Sequence, residues 1–481
     1  MKTSLVMAVS ALLAACAVGP DYHRPTDVGG AGTPVAFMDA GSKQLLSNPI
    51  EPKFWQSFGD EEMTNLIVAA VEANLDIERA RANVLAARAA LRLSTFDLAP
   101  TVTSSAGYLK EERSVNQLPP ASSSDRKATF VDAGFDASWE LDIFGRVRRE
   151  VESTRADAEA AEASLRDVQV SVIAEVARDY CTLRGLQEQL SVALRNVENQ
   201  RQSLQLTQVR LEAGRGNELD TARAEAQLLT TQARIPPLNA QIAATIYALS
   251  VLVGQQPGTL SQALSKDQTI PVPPVVIDIG TPADLLRRRP DVQIAERQLA
   301  SATARIGVAM GDLFPKVTVL GAVGFDAASI PGLGRGGSGT YTYGPSITWA
   351  AFDLGRVQAR IRESKANADA ELAGYRKAVL GALQEVDSDL AAYARSTERQ
   401  TTLERAVFAS DKAARLARQR FEGGLTDFLN VLDAERDALD AETSLAQSNT
   451  DVATNLIALY KALGGAWEGV SNARSEAVAR D

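Results

Sequence analysis

Two hydrophobic periods divide the chain between them. Over Thr129–Leu141 the period is two: Val131, Ala133, Phe135, Ala137, Trp139 and Leu141 face one way, and Asp132, Gly134, Asp136, Ser138 and Glu140 the other. That is a strand with one apolar face. A second alternation over about 101–110, with Val102, Ala106 and Tyr108 on one side, supplies its partner across a polar, turn-rich loop. The pair returns over about 316–326 (Val317, Val319, Val323, Phe325) and about 340–350 (Tyr341, Tyr343, Ile347 and Trp349 against Thr340, Thr342, Ser346 and Thr348), around the glycine-rich PGLGRGGSG. The long stretches are helical. From Val147 to about Ala213 there is no proline, only Gly185 interrupts, and Val176, Leu183, Leu190, Val197, Leu204 and Leu211 recur every seven residues as a coiled-coil seam. At 1.5 Å per residue such a helix is on the order of 100 Å long. Val386, Tyr393, Val407, Ala414 and Phe421 repeat the seam, with Gln400 breaking it.

The recurrence is a tandem duplication. RLEAGRGNELDTARAE (Arg210–Glu225) aligns with RFEGGLTDFLNVLDAE (Arg420–Glu435) at a constant offset of 210, Gly214 falling on Gly424, and the same offset carries SWELDIFGR (Ser138–Arg146) onto TWAAFDLGR (Thr348–Arg356). Upstream of a gap the offset becomes 215: NLDIERARANVLAARA (Asn74–Ala89) matches RPDVQIAERQLASATA (Arg289–Ala304). The repeat is the structural unit: residues 59–256 form the first, 257–280 a proline-punctuated linker, 281–465 the second, and 466–481 a tail. In each, a helix from near Asp60, broken at Asn74 and ending near Asp97, precedes the strands in copy one; a long outgoing helix follows, turns at Gly214 or at Gly423-Gly424, and returns over Glu218–Val253 or Asp427–Leu463. Helices 75–97 and 290–312 stack on the shorter returning helices to make up their length. Pro236-Pro237, where copy two has Ala446-Gln447, predicts a local break. Thr281 reads as an N-cap with Asp284 at the capping-box position, and Arg287–Arg289 as a solvated turn.

Strands of this length cross a bilayer when tilted, although a soluble sandwich satisfies the same alternation. Four strands leave two open edges, which lipid does not tolerate, so spanning strands require several chains to pool them into a closed barrel. Trp139, Tyr341, Tyr343 and Trp349 lie towards strand ends, where a membrane border belongs. Pattern alone leaves the two open; the family resemblance set out below implies the expected fold class, an α+β membrane protein, internally duplicated, with long antiparallel helices in a coiled-coil barrel and four transmembrane strands per protomer.

The N-terminus adds export. Met1-Lys2 is basic, Leu5–Leu13 apolar, and Leu13-Ala14-Ala15-Cys16 follows. Residues 1–15 therefore read as a signal peptide, too short to span. The small residues before Cys16 resemble a bacterial lipobox, which implies cleavage and acylation there, and residues 16–58 read as a tether docked by Phe54, Trp55 and Phe58. With one other cysteine, Cys181, no disulfide is expected. Aromatics are 5% of the chain, net charge is −10 and the pI near 5.0, against the basic footprint of a nucleic-acid binder. One histidine, His23, and five methionines offer no metal set, and no cofactor is expected. An enzyme is not the expectation.

GPDYHRP after the lipobox, SWELDIFGR and FDLGR, TPADLLRRRPDVQIAERQLASA and FEGGLTDFLNVLDAE together resemble TolC-like outer-membrane factors of the NodT-type lipoprotein branch, over nearly all of the mature chain. The resemblance implies a homotrimer closing a 12-stranded β-barrel and an α-barrel, the passive exit channel of a tripartite efflux system. Its partners would be a periplasmic adaptor, an inner-membrane resistance–nodulation–division transporter and outer-membrane lipid, with no nucleic acid. It also implies a periplasmic gate at Asp433 and Leu429, with Asp220 in the first copy's tip, and tip turns touching the adaptor at Gly214, Gly423, Gly424, Leu425 and Thr426. Asn430 stands where some relatives carry a second aspartate. Without the resemblance both aspartates read as first-turn helix charges. Two rivals remain: a periplasmic coiled-coil lipoprotein without a pore, and an outer-membrane duct for protein secretion.

Overall fold

The computed structural model describes residues 17–25, 37–38, 45–46, 48, 51, 53–116, 126–266, 268–274 and 276–465; the expected signal peptide, Cys16 and the tail lie outside them. In chain order the elements are β1 (Leu45–Leu46), a 3-10 turn (Phe54–Phe58), α1 (Glu61–Ala73), α2 (Leu75–Phe96), β2 (Thr101–Glu112), β3 (Lys127–Leu141), α3 (Arg146–Glu212), α4 (Glu218–Gln232), α5 (Ile235–Leu252), α6 (Ser261–Leu264), β4 (Ile277–Asp278), α7 (Pro282–Arg288), α8 (Pro290–Gly311), β5 (Lys316–Ala327), β6 (Gly339–Thr348), α9 (Leu354–Glu422) and α10 (Phe428–Ala462). They form two compact units.

The first unit (Met1–Pro25, Asn83–Glu162, Ile294–Arg376) holds one antiparallel sheet, β2-β3-β5-β6. Its register sets Ala133 between Ala106 and Phe325, and Val323 between Phe135 and Tyr341. The residues read as apolar thus share one face, while Asp132, Asp136 and Asp326 share the other. On that polar face Gly134 opposes Gly324, and a β-carbon at either would sit 2.8 or 2.7 Å from a carbonyl of the neighbouring strand. β6 ends at Thr348, two residues short of the expectation, so Trp349 stands just beyond it. Both copies make the same tryptophan bond here, although β3 continues past its tryptophan to Leu141. The Trp139 indole donates to Leu98 O and that of Trp349 to Leu313 O, each at 3.0 Å, which ties the outgoing strand to the carbonyl two residues before the proline that opens its neighbour.

At the corner into α3, the Asp142 carboxylate accepts from the Val147 and Arg148 amides at 3.0 and 2.9 Å. The segment read as a tether docked by Phe54, Trp55 and Phe58 is bound here as well. Val18 N donates to Phe144 O, and the buried Arg149 guanidinium reaches Val18 O, Gly19 O and the Asp21 carboxylate. Gly19 lies so close to Gly307 that a β-carbon on it would be 2.4 Å from the Gly307 Cα.

The second unit (Thr26–Ala82, Ala163–Gln293, Lys377–Asp481) carries the main core. Ile67, Ile173, Val176, Leu183, Leu249, Val386, Leu390, Leu456 and Leu459 pack together there. Phe54, Trp55 and Phe58 are buried among them, Phe54 stacking on Tyr460 at 4.6 Å. Each such side chain contributes about 1.5–3 kcal/mol by burial. Gly185 interrupts nothing: α3 runs through it, and a β-carbon there would lie 1.9 Å from Thr450 Oγ1, so its smallness sets the approach of α3 to α10.

The stacked helices meet through matched junctions. Asn74, the break before α2, caps the Ile77 and Asp76 amides with Oδ1 and donates from Nδ2 to Leu252 O at 2.9 Å, the last residue of α5. In copy two Arg289 donates to Ala462 O at 2.6 Å, the last residue of α10. Gly254 and Gly464 follow at φ +71 and +68. Arg289 corrects the reading of its run as a solvated turn: it is buried and also pairs with Asp291 and Glu385 at 2.7 and 2.6 Å. Burial and then the neighbouring Glu385 push the Asp389 carboxyl up to about 6, against the attraction of Arg289 and Lys461. Burial raises Asp167 in the same surroundings. Thr281 does cap α7, accepting from Asp284 N at 3.2 Å, but the Asp284 carboxylate takes the Thr281 hydroxyl in place of its amide.

The returning helix of copy one is interrupted a few residues earlier than expected. α4 stops at Gln232 and α5 starts at Ile235, with Pro236 and Pro237 in its first turn. The two prolines remove the donors that the carbonyls of residues 232 and 233 need, and a first turn is where missing N–H groups cost nothing.

Candidate gate at the helix turns

Both long helices end in the same turn. Gly214 N donates to Leu211 O and Arg215 N to Arg210 O; Gly424 N donates to Phe421 O and Leu425 N to Arg420 O. The glycines sit at φ +67 and +70 with open space around the missing β-carbon, so the left-handed backbone alone selects glycine. Gly423 is different. A β-carbon there would make only ordinary contacts, the nearest 3.5 Å from Gln419 O, and copy one has Ala213 at that place.

The two returning helices begin unlike one another. Asn217 caps α4, accepting from Asp220 N at 2.8 Å, and its amide donates to the Asp220 carboxylate at 3.0 Å. Asp220 is thus engaged within its own cap. Asp427 makes no side-chain cap for α10; instead Asn430 Nδ2 donates to Thr426 Oγ1 at 2.8 Å. α10 then divides cleanly. Phe428, Val431, Leu432 and Glu435 are buried, whereas Leu429 and Asp433, one turn apart on the opposite side, are exposed, as is Leu425.

Beneath that exposed face lie two devices that the sequence reading missed. Ala224, Phe421, Phe428, Val431 and Leu432 form a small cluster, and Arg210 at the end of α3 stacks over the Phe421 ring at 4.2 Å while donating to Phe421 O and Glu422 O at 2.6 and 3.0 Å. Arg210 therefore donates to Glu422 O at the end of α9 and adds a second donor to Phe421 O, which already accepts from Gly424 N. One turn further in, the buried Glu435 carboxylate accepts from Arg418 at 2.6 Å and from Ser203 Oγ at 2.8 Å, and Arg418 also reaches Asn199 O. This joins α3, α9 and α10. The signal was an asymmetry: Glu435 aligns with Glu225, which is exposed, and Arg418 with Gln208.

The border aromatics divide between the two ends of the sheet. Trp139 and Trp349 stand at the end that leads into the long helices, and Tyr341 and Tyr343, stacked at 6.3 Å and strongly exposed, near the other. Cys16 itself is not described, but its neighbour Ala17 packs on Gly145 at the strand-to-helix corner.

Among the described residues, a sheet with one apolar face and two unpaired edges, carried with paired helical hairpins in a duplicated chain, fits the protomer of an outer-membrane channel. The profile of the Outer membrane efflux protein family matches residues 66–255 and 281–465. The chain is 31% identical over 478 residues to the probable efflux pump outer membrane protein SepC of Pseudomonas putida, covering 98% of each. It is 29% identical over 456 residues to Nodulation protein T of Rhizobium leguminosarum bv. viciae, covering 94% of this chain and 91% of that one. The solved outer-membrane channel OprN superposes with a TM-score of 0.86 at 41% identity, over 94% of this chain and 100% of OprN. The chain belongs to the outer membrane efflux protein family, and it is an outer-membrane exit channel, the outer-membrane component of an efflux pump.

Proposed function

We propose that three copies close their strands into one 12-stranded barrel and form a passive duct for small molecules, drugs or toxic metabolites, gated at the periplasmic turns. A periplasmic adaptor and an inner-membrane resistance–nodulation–division transporter load it, Cys16 anchors it by acylation, and the chain itself performs no chemistry. Leu429 forms a dewetting ring about the axis and Asp433 a carboxylate ring that favours hydrated cations. Asp220 contributes less, because its carboxylate already serves the α4 cap. Gly214, Gly424, Leu425 and Thr426 shape the surface offered to the adaptor. The observation that carries this reading is the division of α10: a leucine and an aspartate stay exposed one turn apart while their neighbours pack inwards.

Accumulation of a fluorescent dye in a host deleted for this chain tests it. Restoring the wild-type chain should lower steady-state accumulation, and Leu429→Ala with Asp433→Ala should make the outer membrane leaky to large hydrophilic antibiotics. Unchanged accumulation with the chain correctly inserted would argue for the pore-free tether.

A further inference from the structure

The two joints between stacked helices hold the same place in the two copies and are made from different chemistry. In copy one the break residue is Asn74, and its uncharged amide reaches the end of the returning helix at Leu252 O. In copy two the break residue is Arg289. Its guanidinium donates to Ala462 O at 2.6 Å, to the two Asp291 oxygens at 3.0 and 2.7 Å, and to Glu385 at 2.6 Å. One cation thus joins the start of α8, the middle of α9 and the end of α10. Gly464 packs against it: a β-carbon there would lie 3.0 Å from the Arg289 Cγ.

Charge around Arg289 is not balanced. Asp167 of α3, Asp291 of α8 and Glu385 and Asp389 of α9 are half-buried there, and the cations acting on them are Arg289 and the exposed Lys461 of α10. Arg289 directs its donors to Asp291, Glu385 and Ala462 O, so Asp389 is left with an excess of negative charge beside it. Asp389 follows Glu385 by one turn of α9, where two like charges oppose one another. Burial and then Glu385 raise its carboxyl, against Arg289 and Lys461. Copy one keeps the acid pair, as Glu175 and Asp179 at offset 210, but Asp179 lies 3.4 Å from Arg178, and the joint itself runs through Asn74. Only in copy two does the tie to the helix end share its cation with these carboxylates.

We propose that the Arg289 joint is a proton-operated lock on the C-terminal end of α10, closed while Asp389 is protonated and slack once it is ionised. Ionised, Asp389 repels Glu385 across one helical turn and draws the guanidinium away from Ala462 O. Protonated, it leaves Arg289 to Asp291, Glu385 and the helix end. The Asn74 joint does not respond, because its amide carries no charge for a carboxylate to draw. The lock stands apart from the trimer and the gate proposed above.

Hydrogen exchange of the full-length chain in detergent at pH 5 and pH 8 tests it, read as protection factors so that the intrinsic pH dependence of exchange cancels. Protection over 291–294 and 459–465 should be lower at pH 8, while 74–78 and 249–254 hold. Opening the joint returns Asp389 from about 6 to an ordinary value of about 3.9, which corresponds to about tenfold over this interval, and solvent screening of a half-buried carboxyl reduces that to several-fold. In Asp389→Asn, uncharged at both pH values, the difference should vanish, with protection staying at the wild type's pH 5 level. Asp179→Asn, in the copy-one acid pair, should keep the difference. Equal protection at the two pH values in the wild type overturns the lock, and so does a difference that survives Asp389→Asn. A fall that covers both joints alike belongs to the whole unit and overturns it too. The first comparison uses wild-type protein, so it decides the matter even where a variant fails to fold.

Discussion

Glycines at one turn do unequal work. Gly424 is held at φ +70, and replacing it with alanine should cost about 1 kcal/mol locally because an L side chain opposes that backbone. Gly423→Ala should cost nothing measurable, since the β-carbon fits and copy one already carries Ala213. Hydrogen exchange over residues 417–435 reads both: faster in Gly424→Ala, unchanged in Gly423→Ala. The sequence put these two glycines side by side with no means of separating them, because φ is not written in residue type. Arg289 was misread for a related reason. Three successive arginines look solvated, and only the end of α10, over 170 residues away in sequence, shows that one of them is a buried donor to Ala462 O.

At the scale of elements, the half-buried Arg418 and the buried Glu435 and Ser203 join three helices near the turns. Glu435→Ala leaves the Arg418 charge without its carboxylate and should loosen that end by about 1–3 kcal/mol. Exchange should accelerate in 199–207 and 414–435 and stay slow around Leu456, in the main core. The junction at Arg289 gives a pH dependence. Asp389 is raised to about 6 in the fold, by burial and Glu385, from an unfolded value of about 3.9. A raised carboxyl stabilises the fold at low pH, and that contribution is lost as pH rises through about 6. Asp389→Asn should therefore raise the melting temperature at pH 8 and leave it nearly unchanged at pH 4, in the same detergent. The elements themselves were legible. Alternation located all four strands of the sheet, the heptads located α3 and α9, and the proline pair located the interruption between α4 and α5 to within a few residues. The polar contacts between helices were not, because a seam of Gln, Asn and Ser reads the same whether it faces water or a neighbour.

For the whole molecule, the open edges of a four-stranded sheet decide more than any single residue. Unpaired backbone within lipid costs several kcal/mol for each group, so a chain of this family in the outer membrane needs neighbours on both sides. The duplication was legible because its offset holds at 210 over long stretches and changes once, to 215, across a gap. The proposed gate residues rest on family resemblance, since an aspartate near a helix start is ordinarily a dipole charge.

Single-channel conductance in planar bilayers tests the central claim most directly, with the wild-type chain measured beside Leu429→Ala/Asp433→Ala. The account predicts a small, cation-preferring current for the wild type, and a larger, less selective one for the double variant. Equal currents from the two would contradict the gate at the turns, and no current from either, in folded and inserted protein, would contradict the duct itself.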